Sequence, residues 1–248
     1  MILGAGLNIT SGLVVTGGSG SSIVTNGLIL NLDAANSSSY PGTGTTWFDL
    51  SPSGYNSTLI NNPAYTADPG NFTFDKVDDY VQVTTNGFGK FNHQSFTVST
   101  WFKPTVITGS DSPLFSYDYT SHNPPYYSIH LRQDQTGGLF FGWNDNGSYS
   151  GGVTTLSKTT AIPAANVWYC ATAVFTAGRQ ELWVNNSIVD SKTQNHTIIF
   201  YNQPVWLGKT NWGVFIRGGM STMHFYNRAL SSAEITQNFN ALRGRYGV

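Results

Sequence analysis

The chain has 248 residues, and its 12 Lys and Arg stand against 13 Asp and Glu, for a net charge of −1. A balance this even, with no Lys/Arg cluster, argues against nucleic acid or another polyanion as a partner. Aromatics at 14%, charged residues at only 10% and 27 glycines describe many short strands joined by Gly, Asn, Ser and Pro turns, in a chain long enough to bury a sizeable core.

Residues 1–25 form a Gly/Ser/Val/Thr segment whose end, Gly17-Gly18-Ser19-Gly20-Ser21-Ser22, has linker composition. Its start, Leu7 to Val15, alternates like a strand that pairs outside its own domain. Leu7, Ile9, Leu13, Val14 and Val15 are the residues expected to add this arm to a partner's sheet edge. A disordered tail is the alternative. The segment has no basic start, and Gly4, Gly6 and Gly12 break its apolar runs, so it reads neither as an export signal nor as a membrane span.

Residues 26–248 read as one antiparallel sandwich. Strands are predicted at Leu28–Leu32, Asn71–Phe74, Tyr80–Val83, Phe96–Lys103, Leu114–Tyr117 and Tyr126–Leu131. Further strands are predicted at Leu139–Trp143, Val167–Thr176, Arg179–Val184, Val205–Leu207 and Val214–Tyr226. Ala177-Gly178 and Asn185-Asn186 mark hairpin turns, and Gly218-Gly219 marks a bulge or bend in the last strand. A helix then follows. Ser231 and Glu234 form a capping box, Leu230 and Ile235 a hydrophobic staple, and Ile235, Phe239 and Leu242 recur at helical spacing. Gly244 is placed to stop that helix.

The lone Cys170 lies in an alternating run and reads as a small core residue. A chain without disulfides suits folding in a reducing cytoplasm. The five histidines, His93, His122, His130, His196 and His224, are scattered, with no Gly-x-Ser-x-Gly elbow near them. The two glutamates are Glu181, which has no acidic neighbour along its strand, and Glu234, which is committed to the cap. Glycoside hydrolysis needs two facing carboxylates, so the chain is not expected to be an enzyme.

The segment Phe115 to Tyr127 combines aromatics with Asp, Asn and His in a loop broken by Pro124 and Pro125. Tyr117, Tyr119, His122, Tyr126 and Tyr127, extended by Trp143, Asn144 and Tyr149, are the candidates for contact with a glycan or a protein partner. Core filling is the competing use of the same aromatics.

Four blocks in order carry a family resemblance: Phe74-Asp75-Lys76-Val77-Asp78-Asp79-Tyr80-Val81, Phe96 to Pro104, Trp168 to Asp190, and Tyr226-Asn227-Arg228-Ala229-Leu230 leading into Ser-x-x-Glu-Ile. Together they resemble the laminin-G-like, concanavalin A-like jelly-roll family, in particular its bacterial and phage branch. Lys76 stands where the family has glycine, and Ser221 and Thr222 stand where it commonly has an acidic pair.

The resemblance implies an all-β antiparallel jelly-roll sandwich with a short C-terminal helix. It also implies a non-enzymatic virion part of a tailed phage, a head decoration, fibre or tail protein. Such a part would be assembled in the host cytoplasm, anchored to other virion proteins through residues 1–25 and built as a symmetric homo-oligomer. A carbohydrate-binding module for surface polysaccharide is the alternative. Related folds hold calcium on loop oxygens, and Asp78, Asp79 and Asp145 are the candidate ligands. Asn144-Asp145-Asn146-Gly147 serves equally well as a plain turn.

Overall fold

The computed structural model describes residues 22–83, 93–118, 128–144, 155–193 and 204–248. The first half of the strands runs β1 (Leu28–Asp33), β2 (Thr46–Trp47), β3 (Ser57–Ile60), β4 (Ala64–Thr66), β5 (Asn71–Phe74), β6 (Tyr80–Val83), β7 (Phe96–Pro104) and β8 (Ser112–Asp118). The second half runs β9 (Ser128–Gln133), β10 (Gly138–Asn144), β11 (Thr155–Ala161), β12 (Tyr169–Thr176), β13 (Arg179–Val184), β14 (Ser187–Thr193), β15 (Val205–Leu207) and β16 (Gly218–Tyr226). One helix, α1 (Ser232–Tyr246), closes the chain.

The strands make two antiparallel sheets of eight, so the expected jelly-roll sandwich with a C-terminal helix is the observed fold. Sheet A has the order β14-β13-β12-β7-β16-β5-β4, with β1 also on β16. Sheet B has the order β11-β10-β9-β8-β15-β6-β3-β2. Alternation along each strand sends one set of side chains between the sheets. Leu30, Leu32, Phe96, Val98, Ala171, Ala173, Phe175, Met223 and Phe225 come from sheet A, and Val81, Val83, Phe115, Leu131, Phe141, Val205 and Leu207 from sheet B. Phe96 lies at the middle of this core, stacked near-parallel on Phe175 at 5.3 Å and on Phe225 at 5.4 Å.

Five strands go beyond those predicted. β2, β3 and β4 are two to four residues long, too short to show a period. β14 is exposed at all but one position, so it lacks the apolar alternation that reveals a strand. β11 has no apolar alternation either, being Thr-Leu-Ser-Lys-Thr-Thr-Ala.

The other side chains of sheet A lie under α1. Its start is capped as predicted: Ser231 accepts the Glu234 amide, and the Glu234 carboxylate accepts the Ser231 amide at 2.9 Å. Leu230 and Ile235 are buried in one cluster with Val24, Leu28, Val174, Trp183 and Tyr226. The helix does not stop at Gly244. It runs to Tyr246, and Gly247, at φ 70°, supplies the left-handed cap. Tertiary contact overrides the low helix propensity of Gly244 here, because the extra turn stacks Tyr246 on Trp101 at 4.2 Å. Cys170 is buried beneath the helix as expected, and burial pushes its thiol up to about 11.

Ser22 to Thr25, assigned by sequence to the arm, run along α1. Val24 is buried; its amide donates to Asn238 Oδ1 at 2.8 Å and its carbonyl accepts from the Tyr226 hydroxyl at 2.9 Å. The arm residues Leu7, Ile9, Leu13, Val14 and Val15 lie outside the described residues.

β16 carries the expected irregularity, displaced by one or two residues. Its register shifts between Met220 and Thr222, while Gly218 adopts φ 138°. Gly218 also faces backbone: an added Cβ would lie 2.2 Å from the Lys103 carbonyl oxygen. Gly218→Ala is therefore expected to remove most of the folding stability, read as loss of the cooperative thermal transition, whereas Gly244→Ala, with open space around it, should stabilise by about 1 kcal/mol.

Candidate functional site

The sequence-predicted glycan patch divides. Tyr117 is 3% exposed and packs in the core. Phe115 and Tyr117, two apart along β8, share the inward face, Tyr117 level with the core residues Ile129 and Val205, and Ser116 between them faces outward. Tyr117 is thus corrected from a contact residue to a core residue. Trp143 and Asn144 end β10, paired with Ile129 and Ser128. Tyr119, His122, Tyr126, Tyr127 and Tyr149 lie outside the described residues.

A different aromatic surface forms on the outer face of sheet B. Cross-strand register lines up Gly142, His130, Ser116, Trp206 and Gln82 in one transverse row. The segment from Gly208 to Arg217, between β15 and β16, folds over that row. Ser116 Oγ donates to the Lys209 carbonyl at 2.6 Å, and the Ile216 amide returns to the Gly208 carbonyl at 2.8 Å.

Two groups result. At one end Trp212, 37% exposed, leans on His130 with ring centroids 5.0 Å apart. The Arg132 guanidinium lies 4.4 Å from the Phe140 ring and 6.0 Å from the Trp212 ring, and is held by Asp111 at 3.2 Å. At the other end the Lys209 ammonium sits among three rings, 4.1 Å from Tyr80, 5.1 Å from Trp206 and 5.8 Å from Phe215. Burial lowers the Lys209 pKa, but three π faces still favour the cation. The whole is a surface of aromatic faces edged by fixed cations. Sequence reasoning missed it because its residues come from five separated stretches that only the sheet register brings together.

The calcium candidates lie beside this surface. Asp78 and Asp79 gather with Asp75, their oxygens all within 4.8 Å of one another, while Asp145 lies outside the described residues. Asp75 Oδ1 accepts the Val77 amide at 2.7 Å, and Asp79 Oδ2 accepts the Asp75 amide at 3.1 Å. Lys76, between them, is left-handed at φ 69°, which is why glycine suits this position. Three carboxylates are a hard-oxygen donor set, suited to calcium in kind. Calcium takes six to eight oxygens, so carbonyls and water would supply the rest.

Neither glutamate is free for chemistry. Glu181 accepts the Trp183 indole at 3.0 Å and pairs with Arg179 at 3.1 Å. Glu234 is clamped by both Arg228 nitrogens, at 2.9 and 2.6 Å; the Arg228 hydrogen bonds and the Ser231 amide hold its carboxyl down at about 2.

A jelly roll with one sheet covered by a helix and the other bearing an aromatic surface has lectin-like architecture. Residues 75–236 match the model of the concanavalin A-like lectin/glucanases superfamily, and the chain belongs to that family. No curated protein matches the chain.

Solved structures share the fold. The receptor-binding domain of botulinum neurotoxin C/D mosaic serotype aligns with TM-score 0.63 at 14% identity over 87% of this chain and 51% of its own. Trypanosoma rangeli sialidase in complex with sialic acid aligns with TM-score 0.63 at 15% identity over 90% of this chain and 34% of its own. The CBM40 of Ruminococcus gnavus IT-sialidase, bound to alpha2,3 sialyllactose, aligns with TM-score 0.53 at 15% identity over 68% of this chain and 97% of its own. The chain thus spans about half of the neurotoxin domain and a third of the sialidase.

Burial raises the Asp79 pKa; its bond from the Asp75 amide opposes this, and the Asp75 and Asp78 charges add to the rise. Asp78→Asn should therefore lower the Asp79 pKa, followed by carboxyl-carbon NMR across an acid titration; an unchanged midpoint would mean that the three acids do not share one field.

Proposed function

We propose that the domain is a non-catalytic glycan-binding module that uses the outer face of sheet B. The observation that carries this reading is Trp212. Its indole stays 37% exposed while His130 supports it and Arg132 edges it. A sugar ring offers weakly positive C–H groups on one face, which suit the negative face of an indole, and hydroxyls at its rim, which suit fixed donors such as Arg132. Rings already packed against neighbours lose little freedom on binding. The glycan-bound states of the sialidase and CBM40 relatives support the reading as analogy of fold. The engagement of Glu181 and Glu234 supports binding without hydrolysis.

A second reading concerns the setting. The join of Tyr226 to Leu230 with the capped helix, which resembles the family's bacterial and phage branch, folds as one unit, with Arg228 clamped on Glu234. On that resemblance the setting is a tailed-phage particle, in which the chain serves as a decoration, fibre or tail part, anchored by the arm and assembled as an oligomer. Mass spectrometry of purified particles tests it, and absence of the chain from them would remove the virion setting.

The glycan reading is tested with an array of host-surface oligosaccharides. Wild-type protein is expected to bind a defined subset. Trp212→Ala should weaken that binding at least ten-fold, the loss expected for a central aromatic anchor of about 2 kcal/mol. Its melting temperature should stay within a few degrees of wild type. A chain that binds no glycan, or a Trp212→Ala variant that binds like wild type, would contradict the reading.

A further inference from the structure

We infer that a second binding site, for a small neutral polyhydroxylated molecule the size of one sugar ring, lies on the opposite sheet, in the cavity between α1 and β1. The cavity holds about 240 Å³. At ~30 Å³ per water that is room for about eight waters, enough for a single ring and too little for an oligosaccharide. Asn31, Asp33 and His224 line its polar side, with Asn31 and His224 directly paired across β1 and β16. Leu50 and Leu242 line its apolar side.

His224 is the observation that points to a ligand. It is 2% exposed, yet among the described residues its imidazole has no hydrogen-bond partner. The Asn31 side-chain amide has none either. A buried polar side chain left unmatched costs about 1–3 kcal/mol, so the His224 imidazole calls for a partner from within the cavity, and the half-buried Asn31 amide beside it can share that partner. Burial pushes the imidazole down to about 4, with the Asp33 charge opposing and the Arg245 charge adding to the shift. It is therefore neutral at pH 7 and offers one donor and one acceptor, while Asn31 adds two donors and an acceptor.

Charge selects a neutral ligand. The Asp33 carboxylate is neutralised by a two-point pair with Arg245, at 2.6 and 3.0 Å, so the wall carries no net charge. Paired donors and acceptors on one side and apolar groups on the other match the hydroxyl edge and C–H face of a monosaccharide. The site is on the outer face of sheet A, so it stands or falls independently of the sheet B surface.

The test titrates the full chain with D-glucose, D-galactose, N-acetyl-D-glucosamine and glycerol, followed by saturation-transfer NMR. At least one hexose should bind with a Kd in the millimolar range. Asn31→Leu, which removes the amide, and Ala241→Phe, which fills the cavity from the helix side, should each weaken that binding at least ten-fold. Both melting temperatures are measured, so that one folded variant suffices. No transfer to any probe at about 50 mM, or unchanged binding in a folded variant, would overturn the inference and leave water as the only occupant.

Discussion

The fold depends on how β16 divides one edge between two partners. Along Gly218 to Met220 that edge pairs with β5, and along Thr222 to Tyr226 it pairs with β1. Ser221 sits at the junction. Its carbonyl accepts the Ala34 amide at 2.9 Å, its hydroxyl donates to the Gly70 carbonyl, and the Tyr246 hydroxyl donates to its Oγ at 2.7 Å. One fully buried serine thus ties the strand exchange to the end of the helix. The next residue secures β7, since Thr222 accepts from Thr100 Oγ1 on its carbonyl and from the Trp101 amide on its hydroxyl. Each such bond contributes about 1 kcal/mol net, but losing one partner leaves the others buried and unmatched, which costs more. The acidic pair common in the family is absent here, and a neutral hydrogen-bonded junction stands in its place.

That junction determines where recognition can occur. Tyr246 latched on Ser221 places α1 across the outer face of sheet A, with Trp101 stacked between Tyr246 and Phe239. The large aromatics of that face are consumed in packing the helix. Sheet B has no such cover among the described residues, and the segment from Gly208 to Arg217 adds Trp212 and Lys209 to it rather than sealing it. The two faces therefore differ in kind: one is an inner seam with a small polar cavity, the other an open aromatic surface.

Much of this architecture was legible in the sequence. β7 and β12 are long runs rich in β-branched and aromatic residues, and the capping box fixes the helix start from local chemistry alone. The helix end was not legible, because the contact of Tyr246 with Trp101 carries it past Gly244. The aromatic surface was not legible either. Tyr80, His130, Arg132, Phe140, Trp206 and Trp212 are ordinary strand and loop residues in order along the chain, and they become neighbours only through the β10–β9–β8–β15–β6 register. Tyr117 shows the opposite error: its setting among polar aromatics suggested a surface, and its register with Ile129 and Val205 puts it in the core.

The central claim is that glycans are recognised on the outer face of sheet B. The most direct measurement is amide and indole NMR of the nitrogen-15-labelled full chain during titration with a bound oligosaccharide. The account predicts that the Trp212 indole signal and the amides around His130, Arg132 and Gly213 shift first, while those of α1 stay in place. Shifts confined to α1 or to the other sheet would contradict it.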